Sequence, residues 1–112
     1  MHECCDKSYI QLNTKDERAV SGLFKLLGEP SRLKIVCALM GTQMCVQHLA
    51  EEIGMEQSAL SHQLRNLRNA GLVKSEKDGK QVMYSLDDAH VYDIIRLAIE
   101  HIRHQRKETE DE

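Results

Sequence analysis

Two pairs of side chains near the C-terminal end of the 112-residue chain have the types and spacing of metal ligands. Asp88 and His90 form the first pair, and His101 and His104 form the second pair, which begins after ten intervening residues. Imidazole nitrogens and a carboxylate oxygen make a tetrahedral set that suits Zn²⁺, and Co²⁺ accepts the same set. The chemistry that these residues predict is metal binding.

The spacing of the two pairs decides how they could share an ion. On one helix, the eleven positions from His90 to His101 span roughly 16 Å, whereas a zinc–ligand bond is about 2 Å long. One chain therefore cannot bring both pairs to one ion, but two antiparallel helices can. We predict two equivalent sites per dimer, each with Asp88 and His90 from one chain and His101 and His104 from the other. The simpler alternatives are that Asp88 only caps a helix and that the two later histidines are solvated.

A second candidate metal site involves cysteine. The four cysteines have no spacing typical of a secreted disulfide framework, so reduced thiols are expected. Cys45 and His48, with Cys4 or Cys5 supplied by the N-terminal arm of the other subunit, form this second candidate site, whose thiolates would favour Cd²⁺, Pb²⁺ or Zn²⁺. The alternatives are that Cys45 is a buried thiol and that Cys4 and Cys5 have no role. Cys37 is expected in the core, because free cysteine is usually a small buried hydrophobe.

The two candidate ligand pairs need a helix to position them. A helix is predicted to begin after Leu86, with Asp87 or Asp88 as N-cap. Its apolar residues recur at helical spacing, namely Val91, Ile94, Ile95, Ala98, Ile99 and Ile102. This apolar stripe is predicted to be a dimer seam.

The middle of the chain predicts a winged helix-turn-helix. A short helix from about Cys45 or Val46 to Ile53 is followed by Gly54 and by a second helix from Ser58 to about Asn69, whose inward stripe is Leu60, Leu64 and Leu67. Two strand-like runs, residues 72–77 and 81–86, then flank Asp78-Gly79, a strong hairpin signal. Upstream, one helix is predicted from near residue 15 to Leu27 and another from Pro30 to about Met40.

The outward side of the helix from Ser58 to Asn69 carries groups that bond to phosphates and base edges. With two wing lysines, the predicted DNA-binding residues are Gln57, Ser58, Ser61, His62, Arg65, Arg68, Lys77 and Lys80. A solvated helix face is the alternative. Winged helix-turn-helix domains usually bind DNA as two copies about 34 Å apart, so a homodimer is expected.

Composition sets the limits on other classes of protein. The net charge is −3, and no apolar run reaches membrane-spanning length or resembles a signal peptide, so a cytoplasmic protein is expected. The predicted organisation is a flexible arm at 1–14, a DNA-binding and dimerisation domain at 15–105, and an acidic disordered tail at 106–112. The fold class is mainly α with a small β-hairpin, forming a homodimer through its terminal helices.

Three stretches carry a family resemblance: residues 27–35 (LGEPSRLKI), 57–65 (QSALSHQLR) and 71–73 (GLV). They resemble the ArsR/SmtB family of bacterial metal-sensing repressors. The resemblance implies a homodimer that represses an operator when metal-free and releases it when metal binds. It also implies that Ser58, Ser61 and His62, with neighbouring Gln57 and Arg65, face the operator.

The two metal sites differ in how well they match the family. The Asp-x-His, ten residues, His-x-x-His pattern matches the C-terminal-helix site of the zinc/cobalt-sensing branch at every ligand. The resemblance further implies that the non-liganding nitrogen of His101 hydrogen-bonds toward the end of a recognition helix, the partner's or the chain's own, near Ala70 and Gly71. Around Cys45 the chain reads QMCVQH, so Gln47 and His48 stand where the family's thiolate site has cysteine and an acidic residue.

The sequence therefore predicts a metal-responsive repressor that binds operator double-stranded DNA, pairs with a second copy, and is released by Zn²⁺ or Co²⁺. No membrane partner is expected. The alternative function is a thiol-based sensor of cadmium, lead, arsenite or redox state that uses Cys4, Cys5 and Cys45. A hydrolytic enzyme is not expected, because it needs an open metal position and a nearby general base, and a site saturated by four protein ligands offers neither.

Overall fold

The computed structural model describes residues 10–110, which form five helices and three strands. In chain order these are α1 (Thr14–Leu27), α2 (Pro30–Ala38), β1 (Met44–Cys45), α3 (Val46–Ile53), α4 (Gln57–Asn69), β2 (Val73–Asp78), β3 (Gln81–Leu86) and α5 (Ala89–Glu110). The predicted winged helix-turn-helix is confirmed, with α3 and α4 as the helix pair and β2 and β3 as the wing.

Local side chains define where the first two helices begin. Asn13 caps α1, since its side chain accepts the Asp16 amide at 2.7 Å, and Thr14 is the first helical residue. Glu29 caps α2 in the same way, and Pro30 follows at the position where a helix tolerates proline. Both caps satisfy amides that have no partner inside the helix.

The sheet contains one strand that periodicity did not reveal. Its order is β1-β3-β2, with antiparallel pairing throughout. Met44 pairs with Tyr84 and Cys45 with Met83, so β1 joins the wing to the start of α3. Asp78 still pairs with Gln81 inside the ladder, which moves the two-residue turn to Gly79 and Lys80. Gly79 has a φ of +65°, a conformation that favours glycine.

The core lies where α2, α3, α4 and β2 meet. Its most buried side chains, each with less than 2% of the surface exposed, are Ile35, Val36, Leu39, Leu49, Leu60, Leu64, Leu67, Leu72 and Val73. Val91 and Ile95 of α5 join the same cluster. The recognition helix α4 and the helix α5, which carries His90, His101 and His104, therefore pack on one core.

The predicted boundaries of the chain ends need one correction. Residues 106–110, expected to belong to a disordered tail, continue α5 as a helix to Glu110. Arg106 and Lys107 lie near the C-terminal end of this helix, where cations interact favourably with the helix dipole. Among residues 10–110, no helix is long and apolar enough to span a bilayer.

Apolar residues on the outer helices are divided between the core and solvent. Of the predicted stripe on α5, Val91 and Ile95 are buried, but Ile102 is 48% exposed. Phe24 of α1 is 59% exposed, while Leu27 on the same helix is buried. A single chain thus leaves part of each outer helix uncovered.

Candidate nucleic-acid interface and metal centre

The helix pair is built so that α4 presents one face to solvent. Gly54 ends α3 in the left-handed conformation, with a φ of +69°, and the Met55 amide donates to the Ala50 carbonyl at 3.0 Å. After this turn, Leu60, Leu64 and Leu67 anchor α4 in the core. Most residues at other positions of the helix are exposed, while Gln63 and Asn66 are half-buried.

The structure places every predicted DNA-binding side chain in an exposed position. The set comprises Gln57, Ser58, Ser61, His62, Arg65 and Arg68 on α4, and Lys77 and Lys80 on the wing. The Ser58 hydroxyl donates to Glu56 at 3.0 Å, at the first turn of the helix. Amide, hydroxyl and cationic groups on one exposed helix are the chemistry required to bond phosphates and base edges.

Arg68 has an additional contact that the sequence did not indicate. Its Nη1 donates to the Ser75 hydroxyl of β2 at 2.9 Å, so this side chain links the end of α4 to the wing. No periodic signal could have identified Ser75, because the bond depends on how the helix and the strand meet.

A second unpredicted contact reaches α4 from α2. Arg32 Nε donates to Gln63 Oε1 at 3.0 Å, and both residues are half-buried. The two residues are 31 positions apart in the chain. Sequence spacing therefore gives no indication of this bond.

The first candidate ligand pair lies at the start of α5. Asp88 Oδ1 accepts the His90 amide at 2.9 Å and the Val91 amide at 3.2 Å, which makes Asp88 the N-cap. The other oxygen, Oδ2, lies 3.5 Å from His90 Nδ1. The amide of Val91, assisted by His90, lowers the pKa of the Asp88 carboxyl, so the residue is a carboxylate at neutral pH.

The second pair lies on the same helix, where His101 and His104 are both exposed. They are three positions apart and therefore share a helix face. Among the residues that the structure describes, no three His, Cys, Asp or Glu side chains of one chain form a group able to hold a metal ion. Asp88 and His90 thus come together within the chain, whereas His101 and His104 belong to the far part of α5.

The cysteine site is only partly within the described residues. Cys45 caps α3, and its half-buried sulfur accepts the His48 amide at 3.5 Å. The imidazole of His48 lies 3.8 Å from a carboxylate oxygen of Glu52. Cys4 and Cys5 lie outside the described residues, so their relation to Cys45 stays a prediction.

Cys37 has a different environment. It is half-buried on α2 and packs against the core. Burial raises the pKa of the Cys37 thiol, because a thiolate is poorly solvated there. This residue is therefore a packing group whose thiol is neutral at pH 7.

Comparisons with known proteins give the same family as the fold and the exposed helix face. A family profile described as bacterial regulatory protein, arsR family, matches residues 29–75. The chain is 45% identical to the HTH-type transcriptional regulator NmtR of Mycobacterium tuberculosis, in a match that covers 83% of this chain and 78% of that protein. It is 40% identical to the cadmium resistance transcriptional regulatory protein CadC homolog of Staphylococcus aureus, over 90% and 93% of the two chains.

A solved structure is similar over nearly the whole chain. The solution structure of apo-NmtR superimposes with a TM-score of 0.73 at 41% identity, and the match covers 93% of this chain and 87% of that one. Profile, sequence and structure thus match the same winged helix-turn-helix domain. The chain therefore belongs to the ArsR/SmtB family of bacterial transcriptional regulators, which are DNA-binding proteins and not enzymes.

Proposed function

We propose that the protein is a metal-responsive repressor that binds operator DNA as a metal-free homodimer and releases it when Zn²⁺, or Co²⁺, is bound. The observation that carries this proposal is the arrangement on α5. Asp88 and His90 meet at its start, while His101 and His104 are exposed roughly 16 Å further along. Two half-sites on one helix are complete only when a second copy lies antiparallel to the first.

The donor atoms fit this metal. Asp88 uses one oxygen as a helix cap and directs the other toward the imidazole of His90, so capping does not exclude ligation. His101 and His104 add two imidazoles from one helix face. Three nitrogens and one oxygen make up a tetrahedral zinc set. When bound, the metal would supply a cross-link between Asp88 and His90 of one subunit and His101 and His104 of the partner subunit.

A homodimer is supported by the apolar surface that one chain leaves uncovered. Val20 and Phe24 of α1 are 43% and 59% exposed, and Ile102 of α5 is 48% exposed. A shallow groove between α1, α2 and α5 is lined by Phe24, Leu33 and Ile95, among others. Large exposed apolar surfaces usually mark contact sites, and a second copy of the same two helices would cover this one.

The shared core explains how α5 can influence α4. Ile95 of α5 and Leu64 of α4 belong to one buried cluster, and packed interiors respond to strain as units. Holding the two α5 helices in one relative orientation therefore constrains the relative orientation of the two α4 helices. Binding of metal and of operator are then coupled reciprocally.

The proposal is tested by measuring operator affinity with and without Zn²⁺. Zinc is expected to weaken wild-type binding by about tenfold per coupled site, which lies in the lower half of the usual coupling range. His101→Ala is expected to bind the operator normally and to lose the zinc response. Zinc-induced release that persists unchanged in His101→Ala would contradict the assignment of the site.

A complementation experiment tests the intersubunit arrangement. One variant carries Asp88→Ala with His90→Ala, and the other carries His101→Ala with His104→Ala. Neither homodimer should retain a complete site, whereas a mixed dimer regains one, because the intact pair of each chain meets the intact pair of the other. Zinc stoichiometry near one per mixed dimer supports the arrangement, and a value near zero counts against it.

The cysteine set is tested in the same assay. Cys45→Ser, alone and with Cys4→Ser and Cys5→Ser, is expected to leave zinc-induced release intact. The Co²⁺ spectrum should lack the intense thiolate charge-transfer bands and show nitrogen and oxygen ligation. Loss of release in the serine variants, with a normal response in His101→Ala, would instead support the thiol-sensor alternative.

A further inference from the structure

One side-chain hydrogen bond ties the recognition helix to α2. Arg32 Nε donates to Gln63 Oε1 at 3.0 Å, and both side chains are half-buried. The donor is a guanidinium, so the bond is charge-assisted and stronger than a bond between neutral groups. Because both side chains are half-buried, water competes less for their polar groups. The bond therefore favours one relative position of Arg32 and Gln63.

Arg32 projects from a backbone that is itself held in place. Its amide donates to Glu29 Oε1 at 3.0 Å, and the Ser31 hydroxyl donates to the other Glu29 oxygen at 3.3 Å. Pro30 occupies the first helical position and restricts the same turn. The first turn of α2 therefore holds the backbone of Arg32 in one position.

The same turn of α2 also faces α5. Leu33, the residue after Arg32, lines the apolar groove together with Ile95 and Ala98 of α5. Consecutive residues of α2 thus face two different helices, Arg32 toward α4 and Leu33 toward α5.

On α4, Gln63 occupies the border between the buried and the exposed face. Leu64 is 1% exposed, while His62 is exposed. Three leucines anchor α4 in the core and set how deeply it packs. Burial of apolar surface is non-directional, whereas a hydrogen bond prefers one geometry, so the bond at the border of the helix adds a restraint on rotation about the helix axis, and with it on the direction of Ser61 and His62.

We propose that Arg32 is a positioning residue for operator reading, which acts by holding α4 in one rotational setting through Gln63. This inference rests on the proposed operator binding. It assigns to Arg32 a role in sequence discrimination without contact to DNA. Discrimination depends on side-chain direction, whereas non-specific affinity depends mainly on the number of phosphate contacts.

The test compares affinity for the operator with affinity for a random-sequence duplex at one salt concentration. Arg32→Met and Gln63→Met should each lower the operator-to-random ratio by about fivefold, as expected for losing one net hydrogen bond. The double variant should lose no more than either single variant. Arg32→Lys, which keeps a charged donor, should recover most of the ratio, and Lys34→Met removes an exposed cation two positions away as the matched control.

Several results would overturn the proposal. Multiplicative losses in the double variant would mean that the two residues act separately. An equal fall for both duplexes, with a salt slope reduced by about one, would mean that Arg32 contacts a phosphate directly. If Arg32→Met does not fold in urea unfolding controls, Gln63→Met alone must reproduce the loss of discrimination. A wild-type chain that shows no operator preference would instead contradict the proposed function.

Discussion

Asp88 Oδ2 lies 3.5 Å from Nδ1 of His90, while Oδ1 of the same carboxylate accepts the amides of His90 and Val91. One residue thus combines the cap of α5 with half of a ligand pair. The two roles use different oxygens, so they are compatible in the metal-free chain. They also differ in chemical demand, because capping needs only an acceptor, whereas zinc ligation favours an anion.

The first prediction separates these two roles at Asp88. Asp88→Asn should keep the cap, because asparagine and aspartate are comparable at that position, but should weaken zinc binding by at least about tenfold through loss of the anionic ligand. Asp88→Ala should weaken zinc binding similarly and also lower the free energy of unfolding. Zinc titration and urea unfolding of the metal-free variants measure the two effects.

The opposite pattern would change the interpretation of this residue. If Asp88→Asn binds zinc as tightly as the wild type, Asp88 is a cap and not a ligand. Asp87→Asn is the matched control, since Asp87 is the exposed neighbouring carboxylate and is not part of the proposed site.

The second prediction concerns Leu97, which lies two helical turns from both His90 and His104 and is 54% exposed. An antiparallel pairing that sets His90 beside His104 of the partner subunit places the two-fold axis near Leu97. Leu97→Cys, with the four native cysteines replaced by alanine, should therefore form an intersubunit disulfide under mild oxidation. Electrophoresis without reductant should show most of the chain as a cross-linked dimer.

Glu100→Cys in the same background is the control for this register. Glu100 lies three positions further along α5, so its two copies are separated by about 9 Å along the paired helices, beyond the Cα separation of roughly 7 Å that a disulfide allows. Cross-linking should be much slower there. Equal rates at both positions, or none at Leu97→Cys, would exclude the antiparallel register.

The recognition helix illustrates what the sequence could predict. Leu60, Leu64 and Leu67 recur with the helical period, and local spacing alone determines that they share one face. The exposed positions on the opposite side followed from the same periodicity. Such features are predictable because they depend on neighbours within about two turns of the chain.

Other features depend on how distant segments meet. The two-residue strand β1 is too short to carry a periodic signal, and it exists because Met44 and Cys45 reach β3. The bond from Arg32 to Gln63 requires the tertiary fold in the same way. On α5 the apolar spacing was visible, but not which residues the chain's own core would bury. Val91 and Ile95 enter that core, whereas Leu97 and Ile102 stay exposed.

The third prediction follows from the raised pKa of the Cys37 thiol. Burial disfavours the thiolate, so alkylation by iodoacetamide should rise with pH at a higher midpoint in the folded chain than in the chain unfolded in urea. Mass spectrometry of the peptide that contains Cys37 reports the rate at each pH. The same midpoint in both states would show that burial does not control this thiol.

The fourth prediction concerns the contact between Arg68 and Ser75. Because Arg68 Nη1 donates to the Ser75 hydroxyl at 2.9 Å, removing that hydroxyl should loosen the wing relative to α4 without removing any cation. Ser75→Ala should therefore weaken operator binding by about twofold to fivefold, the range expected for one modest hydrogen bond, and should leave the salt dependence unchanged. Arg68→Ala should weaken binding more and reduce the salt slope by about one if the guanidinium also contacts a phosphate.

Ser85→Ala, which removes a half-buried hydroxyl from the neighbouring strand, controls for general damage to the wing. If Ser75→Ala binds the operator as tightly as Ser85→Ala does, the hydrogen bond between Arg68 and Ser75 has no role in operator binding. Any loss of operator affinity in Arg68→Ala then reports direct contact with DNA.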